Sequence, residues 1–263
     1  MRTVSRLLIV FLILVFCSCS TKLIKVEGDP AFAAQLKKAA LIEFIVAPPD
    51  VPLFPLIDAG MYKGSMMKIG VRIVQVNKDK SEDFSILLGN KLKAVSGQDV
   101  LFGNDLYDSP SFLALPEKGV TLFNNNIKHS EFTEISIPKS GKNFFDFSKT
   151  SNALSVIEKT EAATKENIAK ICNALETDGA IVSVVSVPTL SVGMFGITGR
   201  RLMMARVYYF NKEGNLILKG IANAESSEGS PDNLTNYISV LDNFGPYMDE
   251  LLQQIYHPMV SQK

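Results

Sequence analysis

The segment that most constrains the fold is the run Ala180–Leu190, whose residues are nearly all apolar and β-branched. A strand that is apolar on both sides is typical of a sheet covered on both faces, whereas a half-exposed strand alternates apolar and polar residues. Pro188 marks the end of the run, because proline interrupts a strand ladder. The sequence therefore predicts a central strand buried between helices.

The segment before this strand has the spacing of a helix. A helix is predicted over at least Glu161–Glu176, because Ile168, Ile171 and Leu175 recur on one face. Cys172 lies in the same apolar stripe and has no adjacent His or second Cys. We predict it to be a small core residue rather than a nucleophile or ligand.

A hairpin is predicted after the central strand. Met203–Phe210 alternates apolar and polar residues, Asn211–Asn215 has the composition of a tight turn, and Leu216–Ala224 returns as a strand. Apolar residues at helical spacing then predict a final helix over Asn233–Ile255. Gly245-Pro246 is expected to kink or split that helix.

The first half of the chain carries three strand patterns and one helix pattern. The helix is predicted to begin with Ser81 as N-cap and to end at Gly97. The strands are predicted at Ala39–Val46, at Met66–Val76 and at Asp99–Phe102, with an irregular connection over Pro48–Gly64.

These elements predict an α/β fold, with a single mixed β-sheet and helices packed on it. A long polar insertion, at about residues 105–150, contains Pro110, Pro116 and Pro138. Its apolar residues Phe112, Leu113, Phe144, Phe145 and Phe147 need something to pack against. Edge strands such as Phe132–Ile137 are possible there, and residues 37–263 are predicted to form one domain.

The N-terminus has the three parts of an export signal. Met1–Arg6 carries two cations, Leu7–Phe16 is ten apolar residues without a break, and Cys17 and Cys19 follow. Ten helical residues span roughly 15 Å, about half of a ~30 Å hydrocarbon core. Residues 1–18 are therefore predicted to be a removable signal peptide rather than a membrane span.

The end of this signal resembles a bacterial lipobox, at which a Cys thiol is acylated and becomes the new N-terminus. Cys19 is the better acceptor because small Ser18 precedes it, although Phe16 stands where the usual pattern has Leu. The alternative is an ordinary secretory signal, or an uncleaved anchor, with an incidental Cys. Cleavage would leave 245 of the 263 residues, with 25 cations against 27 anions because Arg2 and Arg6 leave with the signal.

Acylation at Cys19 predicts a protein anchored to a membrane by several fatty-acyl chains, palmitate among them. Residues 19–36 are then the lipidated N-terminus and tether. By the lipoprotein resemblance, Ser20 in place of Asp after the acceptor implies outer-membrane residence with the domain in the periplasm.

The chain also resembles a superfamily of envelope lipoproteins. Asn167–Val187 gives a helix, then Glu-Thr-Asp-Gly-Ala, then an apolar strand, and a hairpin and an amphipathic helix follow. This pattern is similar to the curli secretion lipoprotein, the penicillin-binding-protein activator lipoproteins and the amino-terminal domain of the Tol-Pal translocation protein. The resemblance implies a compact α/β sandwich with non-enzymatic work on an envelope machine, and it identifies no site residues.

The amino-acid composition excludes several classes of protein. The 263 residues are 46% apolar and 21% charged, with 27 Lys and Arg against 27 Asp and Glu. A disordered chain has fewer apolar residues, and a nucleic-acid binder that relies on bulk charge has an excess of cations. Three cysteines do not make a disulfide scaffold.

No motif predicts catalysis, a cofactor or a metal. His129 and His257 are far apart and lack ligand partners at usable spacing. Gly193–Arg201 has glycines and two arginines but leads into a strand, unlike a phosphate loop; contact with anionic lipid, glycan or a partner is the more plausible role. Ser136 and Lys139 match Ser-x-x-Lys formally, but Pro138 opposes the helical turn that this chemistry requires.

Two remaining groups of residues are best explained by ordinary structure. The adjacent carboxylates Glu82-Asp83 and Asp249-Glu250 suit solvated helix surfaces rather than a glycosidase pair. Aromatic and Met residues flank the early connection and line the final helix, where core packing is the main role and a partner interface is the alternative. The residues are Met61, Tyr62, Met66, Met67, Tyr237, Phe244, Tyr247 and Tyr256.

The leading hypothesis is a non-enzymatic adaptor or assembly factor, anchored by Cys19 and bound to another envelope protein. The alternative is a subunit of an oligomeric secretion channel, which requires membrane strands of about 9 to 11 alternating residues. A small-ligand binder is a third possibility, with Arg200, Arg201 or His129 lining a pocket.

Overall fold

The computed structural model describes residues 22–47, 63–123, 135–147, 153–159, 161–192, 199–225 and 234–258. Within them the chain forms strands β1 (Leu23–Gly28), β2 (Lys38–Val46), β3 (Asp99–Leu101), β4 (Gly179–Ser186), β5 (Thr189–Val192), β6 (Gly199–Asn211) and β7 (Leu216–Glu225). The helices are α1 (Pro30–Gln35), α2 (Lys63–Ser96), α3 (Gly103–Tyr107), α4 (Pro110–Leu113), α5 (Ala153–Lys159), α6 (Ala162–Leu175), α7 (Leu234–Leu241) and α8 (Phe244–Tyr256), with a 3-10 turn at Pro116–Lys118.

The described strands form one mixed sheet in the order β1-β7-β6-β4-β2-β3, and β5 pairs with β6 outside this order. β2 pairs in parallel with β3 and β4, and the other pairs are antiparallel. β4 is the predicted central strand, buried along all of its length except Ser186. The predicted α/β class, with a single mixed sheet and helices packed on it, is confirmed.

The strand register gives the sheet two ends that matter below. Leu23 lies opposite Asn223, which lies opposite Met204, and we call this the Leu23 end. The other end contains Gly28 and the β6–β7 turn at residues 211–215, and we call it the Gly28 end. The predicted hairpin of β6 and β7 is confirmed.

Helices cover one face of the sheet and a less regular layer covers the other. On the first face, buried residues of α1, α2, α7 and α8 pack together against the sheet. On the second face, the cover comes from α3 to α6 and from the segment 135–147. We call these the helical face and the insertion face.

The strand predicted at Met66–Val76 is wrong, because α2 is one helix from Lys63 to Ser96. Its buried row includes Ile73, Phe84 and Leu88 at helical spacing. Two members of the row, Asn77 and Ser81, are polar, so the helical period is hidden in the sequence. Ser81 is not an N-cap: its hydroxyl donates to the Lys78 carbonyl oxygen inside the helix (2.8 Å). The predicted end at Gly97, which has φ +65°, is confirmed.

The tether predicted over residues 19–36 is too long. Leu23–Gly28 pairs with β7 along its whole length, and α1 follows directly. The short alternation in Leu23–Gly28, LIKVEG, was not recognised as a strand because it is brief and carries two charges. The folded body therefore begins at the start of β1.

The predicted insertion packs onto the sheet. Phe112, Phe144, Phe145 and Phe147 are all buried, as predicted, whereas the packing predicted for Leu113 is wrong, because Leu113 is exposed. Of the possible edge strand at Phe132–Ile137, residues 132–134 lie outside the described residues, and Ser136 makes only an isolated bridge with Val46. The Pro48–Gly64 connection also lies outside the described residues up to position 62.

The final helix is split, as predicted, but the break lies at residues 242–243 rather than at Gly245-Pro246. Pro246 is in the first turn of α8, where the missing backbone N–H costs no helical hydrogen bond. Proline therefore begins the second helix instead of interrupting one.

The junction between α6 and β4 depends on two neighbouring residues. The Asp178 carboxylate accepts hydrogen bonds from the backbone N–H groups of Lys37 and Lys38, both at 3.0 Å. A Cβ on Gly179 would lie 2.6 Å from the Phe210 carbonyl oxygen, so only glycine fits there. The Asp-Gly pair thus places β4 between β2 and β6.

Candidate functional site

The point at which the chain enters the body is fixed by β1, whose first residue, Leu23, pairs with Asn223 of β7, and Lys22 adds side-chain contacts. The Lys22 ammonium forms an ion pair with Glu250 and lies 5.1 Å from the centre of the Tyr247 ring. Both partners lie on α8, which packs on the helical face. The residue just before β1 is therefore held on the body at the Leu23 end.

The predicted acceptor, Cys19, lies outside the described residues, as do Cys17 and the rest of the signal. Three residues separate Cys19 from Leu23, and an extended chain covers at most ~3.6 Å per residue. Cys19 therefore lies within roughly 11 Å of the Lys22 backbone.

The second candidate feature is a carboxyl group inside the sheet. Glu43 on β2 is buried, one carboxyl oxygen accepts a hydrogen bond from the Phe144 N–H (3.0 Å), and the other has no hydrogen-bond partner. Burial raises the pKa of Glu43 well above its usual value, and the Phe144 hydrogen bond opposes that rise. Burial therefore favours the neutral, hydrogen-bonding form of this carboxyl group.

In the described residues, the polar atoms near this carboxyl do not form a recognisable ligand site. Burial raises the pKa of Tyr107 to about 12. The Ser136 hydroxyl is buried without a hydrogen-bond partner. This neighbourhood joins the insertion to β2 and to α2, which is a structural arrangement.

A third feature is a polar network on the outer strands of the insertion face. Glu27 on β1 pairs with Lys219 on β7 (2.7 Å) and with Lys25 (2.8 Å), and these hydrogen bonds lower the pKa of Glu27 to about 2. Glu158 on α5 accepts from the Tyr208 hydroxyl (3.2 Å) and pairs with Lys219 at 3.4 Å. The network carries both signs of charge and links α5 to the sheet.

Arg206 lies beside this network and is largely buried. One guanidinium nitrogen donates to the Asn223 side-chain oxygen (2.7 Å) and to the Ala205 carbonyl oxygen (2.8 Å). Burial lowers the pKa of Arg206, and the nearby Glu158 and Glu27 oppose that shift. Arg206 therefore contributes to strand cohesion near the Leu23 end.

The residues considered for chemistry do not come together. His257 is exposed at the end of α8, whereas His129 lies outside the described residues. Arg201 is buried with its guanidinium 5.5 Å from the centre of the Tyr237 ring. The Ser136 hydroxyl has no hydrogen-bond partner, and Lys139 donates its backbone N–H to Glu82 (3.0 Å).

The acidic and aromatic pairs have structural roles. Asp249 pairs with Lys91 (2.5 Å), as Glu250 does with Lys22. Tyr237 and Phe244 are fully buried, so core packing accounts for them. Cys172 is also buried, as predicted, and burial raises the pKa of its thiol to about 11.

In the described part of the chain, no three His, Cys, Asp or Glu side chains are placed to hold a metal ion. None of the described helices is long and apolar enough to cross a bilayer. That the protein needs no metal or cofactor and is not an enzyme stays a prediction.

Sequence reasoning missed Glu43 and Asn167 as residues that hold the insertion. Asn167 on α6 accepts from the Thr121 N–H and donates to the Thr121 carbonyl oxygen, both at 3.1 Å. For Glu43, a signal was present as the one acid in the apolar strand Ala39–Val46. For Asn167 the helix pattern gave no signal.

No protein-family model matches the sequence, and a search of curated proteins finds no match. Among solved structures, the chain is similar to the PelC dodecamer from Paraburkholderia phytofirmans, with 9% identity and a TM-score of 0.31 over 90% of this chain and 98% of that chain. A substituted variant of that dodecamer gives 11% identity and a TM-score of 0.32 over 90% and 99%. Likeness at this level carries no functional argument.

Proposed function

We propose that this protein is a lipid-anchored envelope lipoprotein whose α/β body acts as a non-enzymatic adaptor or assembly factor for an envelope complex. The observation that carries the proposal is the position of Lys22. It is held on α8 by Glu250 and Tyr247, three residues after the predicted acyl acceptor Cys19. A lipidated Cys19 would therefore hold the folded body directly at a bilayer.

The anchoring step is supported by the N-terminal pattern. Two cations, ten apolar residues and Ser18-Cys19 are what acylation and cleavage before Cys19 require. Several acyl chains, each contributing ~0.8 kcal/mol per buried CH₂ group, give stable attachment where one chain gives only reversible binding. The outer membrane and the periplasm are the proposed location.

The adaptor role is supported by the resemblance of Asn167–Val187 and the following hairpin to envelope lipoproteins. Partner contacts can be sought from exposed apolar side chains, although such residues, when scattered singly, do not by themselves mark an interface. Of the described large apolar residues that are exposed, Leu113 and Leu122 lie in the insertion, and Ile86 lies on α2 near Gly103. These positions are suitable probes.

The anchoring half of the proposal is tested by mass spectrometry of the protein from native membranes. We expect a mature chain that begins at an acylated Cys19 and floats with lipid vesicles. Cys19→Ser should leave a chain without acyl mass, with unchanged circular dichroism, whether or not residues 1–18 are removed. A bare wild-type N-terminus would overturn the anchoring.

The adaptor half is tested by photo-crosslinking in intact cells, with a crosslinking amino acid at Leu113, Leu122 or Ile86. We expect one reproducible envelope protein to be captured, and capture to fall when Cys19→Ser removes the anchor. Lys212, exposed in the β6–β7 turn, is the control position. Capture of only further copies of this chain in a ring would instead support the channel-subunit alternative.

A further inference from the structure

We propose that the Leu23 end of the body is a docking surface for the anionic bilayer in which Cys19 is anchored. This inference rests on the proposed lipid anchor and goes beyond it, because it fixes which part of the folded body faces the lipid. Three independent features of the chain extend past the sheet at this end: the anchor segment, a strand pair and the first turns of α2.

The anchor segment is too short to let the body turn freely. Lys22 is held on the body by Glu250 and Tyr247, so only Ser20 and Thr21 separate it from the acylated residue. Three residue steps span at most roughly 11 Å. The bilayer surface must therefore lie close to the Leu23 end and cannot be reached by rotating the body about a long linker.

The second feature is the extension formed by β5 and the first residues of β6. Met204 is level with Leu23 in the sheet register, and β6 begins five residues earlier, at Gly199. Those residues extend ~17 Å past the Leu23 level at ~3.3 Å per residue. β5 pairs with them, with Val192 opposite Gly199. The extension and the anchor segment thus leave the same end of the sheet.

The third feature is the start of α2. The helix ends at the Gly28 end, where β3 follows it. Twelve residues before that end, Phe84 stacks on Phe244, the first residue of α8 (4.5 Å between ring centres). Further toward the N-terminus, Asn77 accepts a hydrogen bond from the Tyr237 hydroxyl (2.7 Å), and the Tyr237 ring lies beside Arg201 of β6. From Asn77, α2 continues for 14 more residues to Lys63, about 21 Å of helix beyond the level of Arg201.

The sequence of this helical extension fits a lipid surface. Residues 63–78 carry Lys63, Lys68, Arg72 and Lys78 and no acid, and they include Met66, Met67, Ile69 and Val71. A helix with apolar and cationic residues and no acids binds the interface of anionic bilayers, where each Lys or Arg near the surface adds attraction. Arg200 lies in the β6 extension at the same end. Anionic phospholipid is therefore the occupant that the charge of residues 63–78 favours.

Depth measurements on the acylated protein in vesicles test the orientation. The background is Cys172→Ala, which removes the buried thiol, and single cysteines for a fluorescent label are Ser191→Cys on β5 and Glu213→Cys in the β6–β7 turn. Arg200, opposite Ser191, and Asn211, beside Glu213, are 11 residues apart on β6, roughly 36 Å. Asn90→Cys on α2 reports the helical face, and Ala163→Cys on α6 reports the insertion face.

In vesicles of phosphatidylglycerol and phosphatidylcholine that contain brominated lipid, we expect several-fold quenching of the label at position 191. Labels at positions 90, 163 and 213 should keep their emission. Quenching at position 213, or stronger quenching at 90 or 163 than at 191, overturns the orientation while leaving the anchor intact. A mature chain that lacks acyl chains overturns the anchor and, with it, the orientation.

Charge substitutions provide a second measurement that does not depend on the anchor. In a chain made without residues 1–18 and with Cys19→Ser, the triple variant Lys63→Gln, Lys68→Gln and Arg72→Gln should bind phosphatidylglycerol vesicles roughly 100-fold more weakly. The matched control replaces Lys118, Lys159 and Lys212, exposed elsewhere on the described body, with Gln. Equal losses in both triple variants would show general charge attraction and overturn the assignment to the Leu23 end.

Discussion

The two faces of the sheet bury similar apolar strand residues, but their covers are stabilised in different ways. On the helical face, α2, α7 and α8 satisfy their backbone groups internally, and their contact with the sheet is made by apolar side chains, the rings of Phe44, Phe84 and Phe244 among them. On the insertion face, the segment 135–147 has no regular backbone hydrogen bonding. Its buried N–H and C=O groups must find other partners.

Side chains supply those partners on the insertion face. Glu43 accepts from the Phe144 N–H, the Asn143 side chain accepts from the Phe145 N–H (3.0 Å), and Asn167 pairs with both backbone groups of Thr121. Lys142 donates to the Phe112 carbonyl oxygen (2.7 Å). A non-helical cover therefore depends on buried polar residues, whereas a helical cover depends on apolar volume.

The largest expected effect is on the helical face. Phe244→Ala removes a buried ring that lies 4.5 Å from Phe84 and 5.6 Å from Phe44, between ring centres. We expect a loss of ~3–5 kcal/mol in the free energy of unfolding, because a cavity remains where the ring was. Chemical denaturation measures it. Leu113→Ala, at a residue that is 60% exposed, is the control and should change stability by less than ~0.5 kcal/mol.

On the insertion face a smaller loss should come from a polar residue. Asn167→Ala removes two partly buried hydrogen bonds to the N–H and C=O groups of Thr121, each worth ~0.5–1.5 kcal/mol. We expect a total of about 1–3 kcal/mol and faster hydrogen exchange in residues 120–123. Asn173→Ala, an exposed Asn on the same helix, is the control. Equal stability of the two variants would contradict the contrast between the faces.

The third prediction concerns the pH dependence of Glu43. Its pKa is raised in the folded state, so between the unfolded pKa, ~4.3, and the folded pKa only the unfolded chain has lost the proton. The free energy of unfolding should then fall as pH rises, by up to ~1.4 kcal/mol per pH unit for this group. Glu43→Gln keeps the shape and a hydrogen-bond acceptor for Phe144 and should remove this slope.

The measurement is urea denaturation of both proteins between pH 4 and pH 9. Glu161→Gln, at an exposed carboxyl before α6, should keep the wild-type slope. A Glu43→Gln protein with the same pH dependence as wild type would show that the buried carboxyl ionises without cost, and that the insertion does not depend on its neutral form.

The same contrast explains what the sequence could predict. The β4 run and the β6–β7 hairpin are set by local composition, so their apolar periods and the turn at 211–215 predicted them. The α/β class followed from these elements. The insertion was recognised only as polar and aromatic, because its partners, such as Glu43 and Asn167, are distant in sequence.

Two errors have a common physical cause, which is tertiary contact overriding a local pattern. Leu23–Gly28 is a strand because β7 offers an edge to pair with, and its own six residues show little of this. In α2, buried Asn77 is stabilised by Tyr237, 160 residues away. No window of sequence contains both residues, so the apolar alternation before Asn77 favoured a strand.

The smallest effect has a sign that distinguishes the two interpretations of α2. If Ser81 capped a helix, Ser81→Ala would cost ~1 kcal/mol. In the continuous helix its hydroxyl donates to the Lys78 carbonyl oxygen, which already accepts within the helix, and Ala has the higher helix propensity. We therefore expect Ser81→Ala to leave the free energy of unfolding unchanged or to raise it by a few tenths of a kcal/mol.

The matched variant on the insertion face is Ser109→Ala. The Ser109 hydroxyl accepts from the Phe112 N–H at the start of α4 (3.2 Å), so its loss should cost ~1 kcal/mol. Equal losses in the two variants would show that a helix begins at Ser81 and that α2 is two elements instead of one.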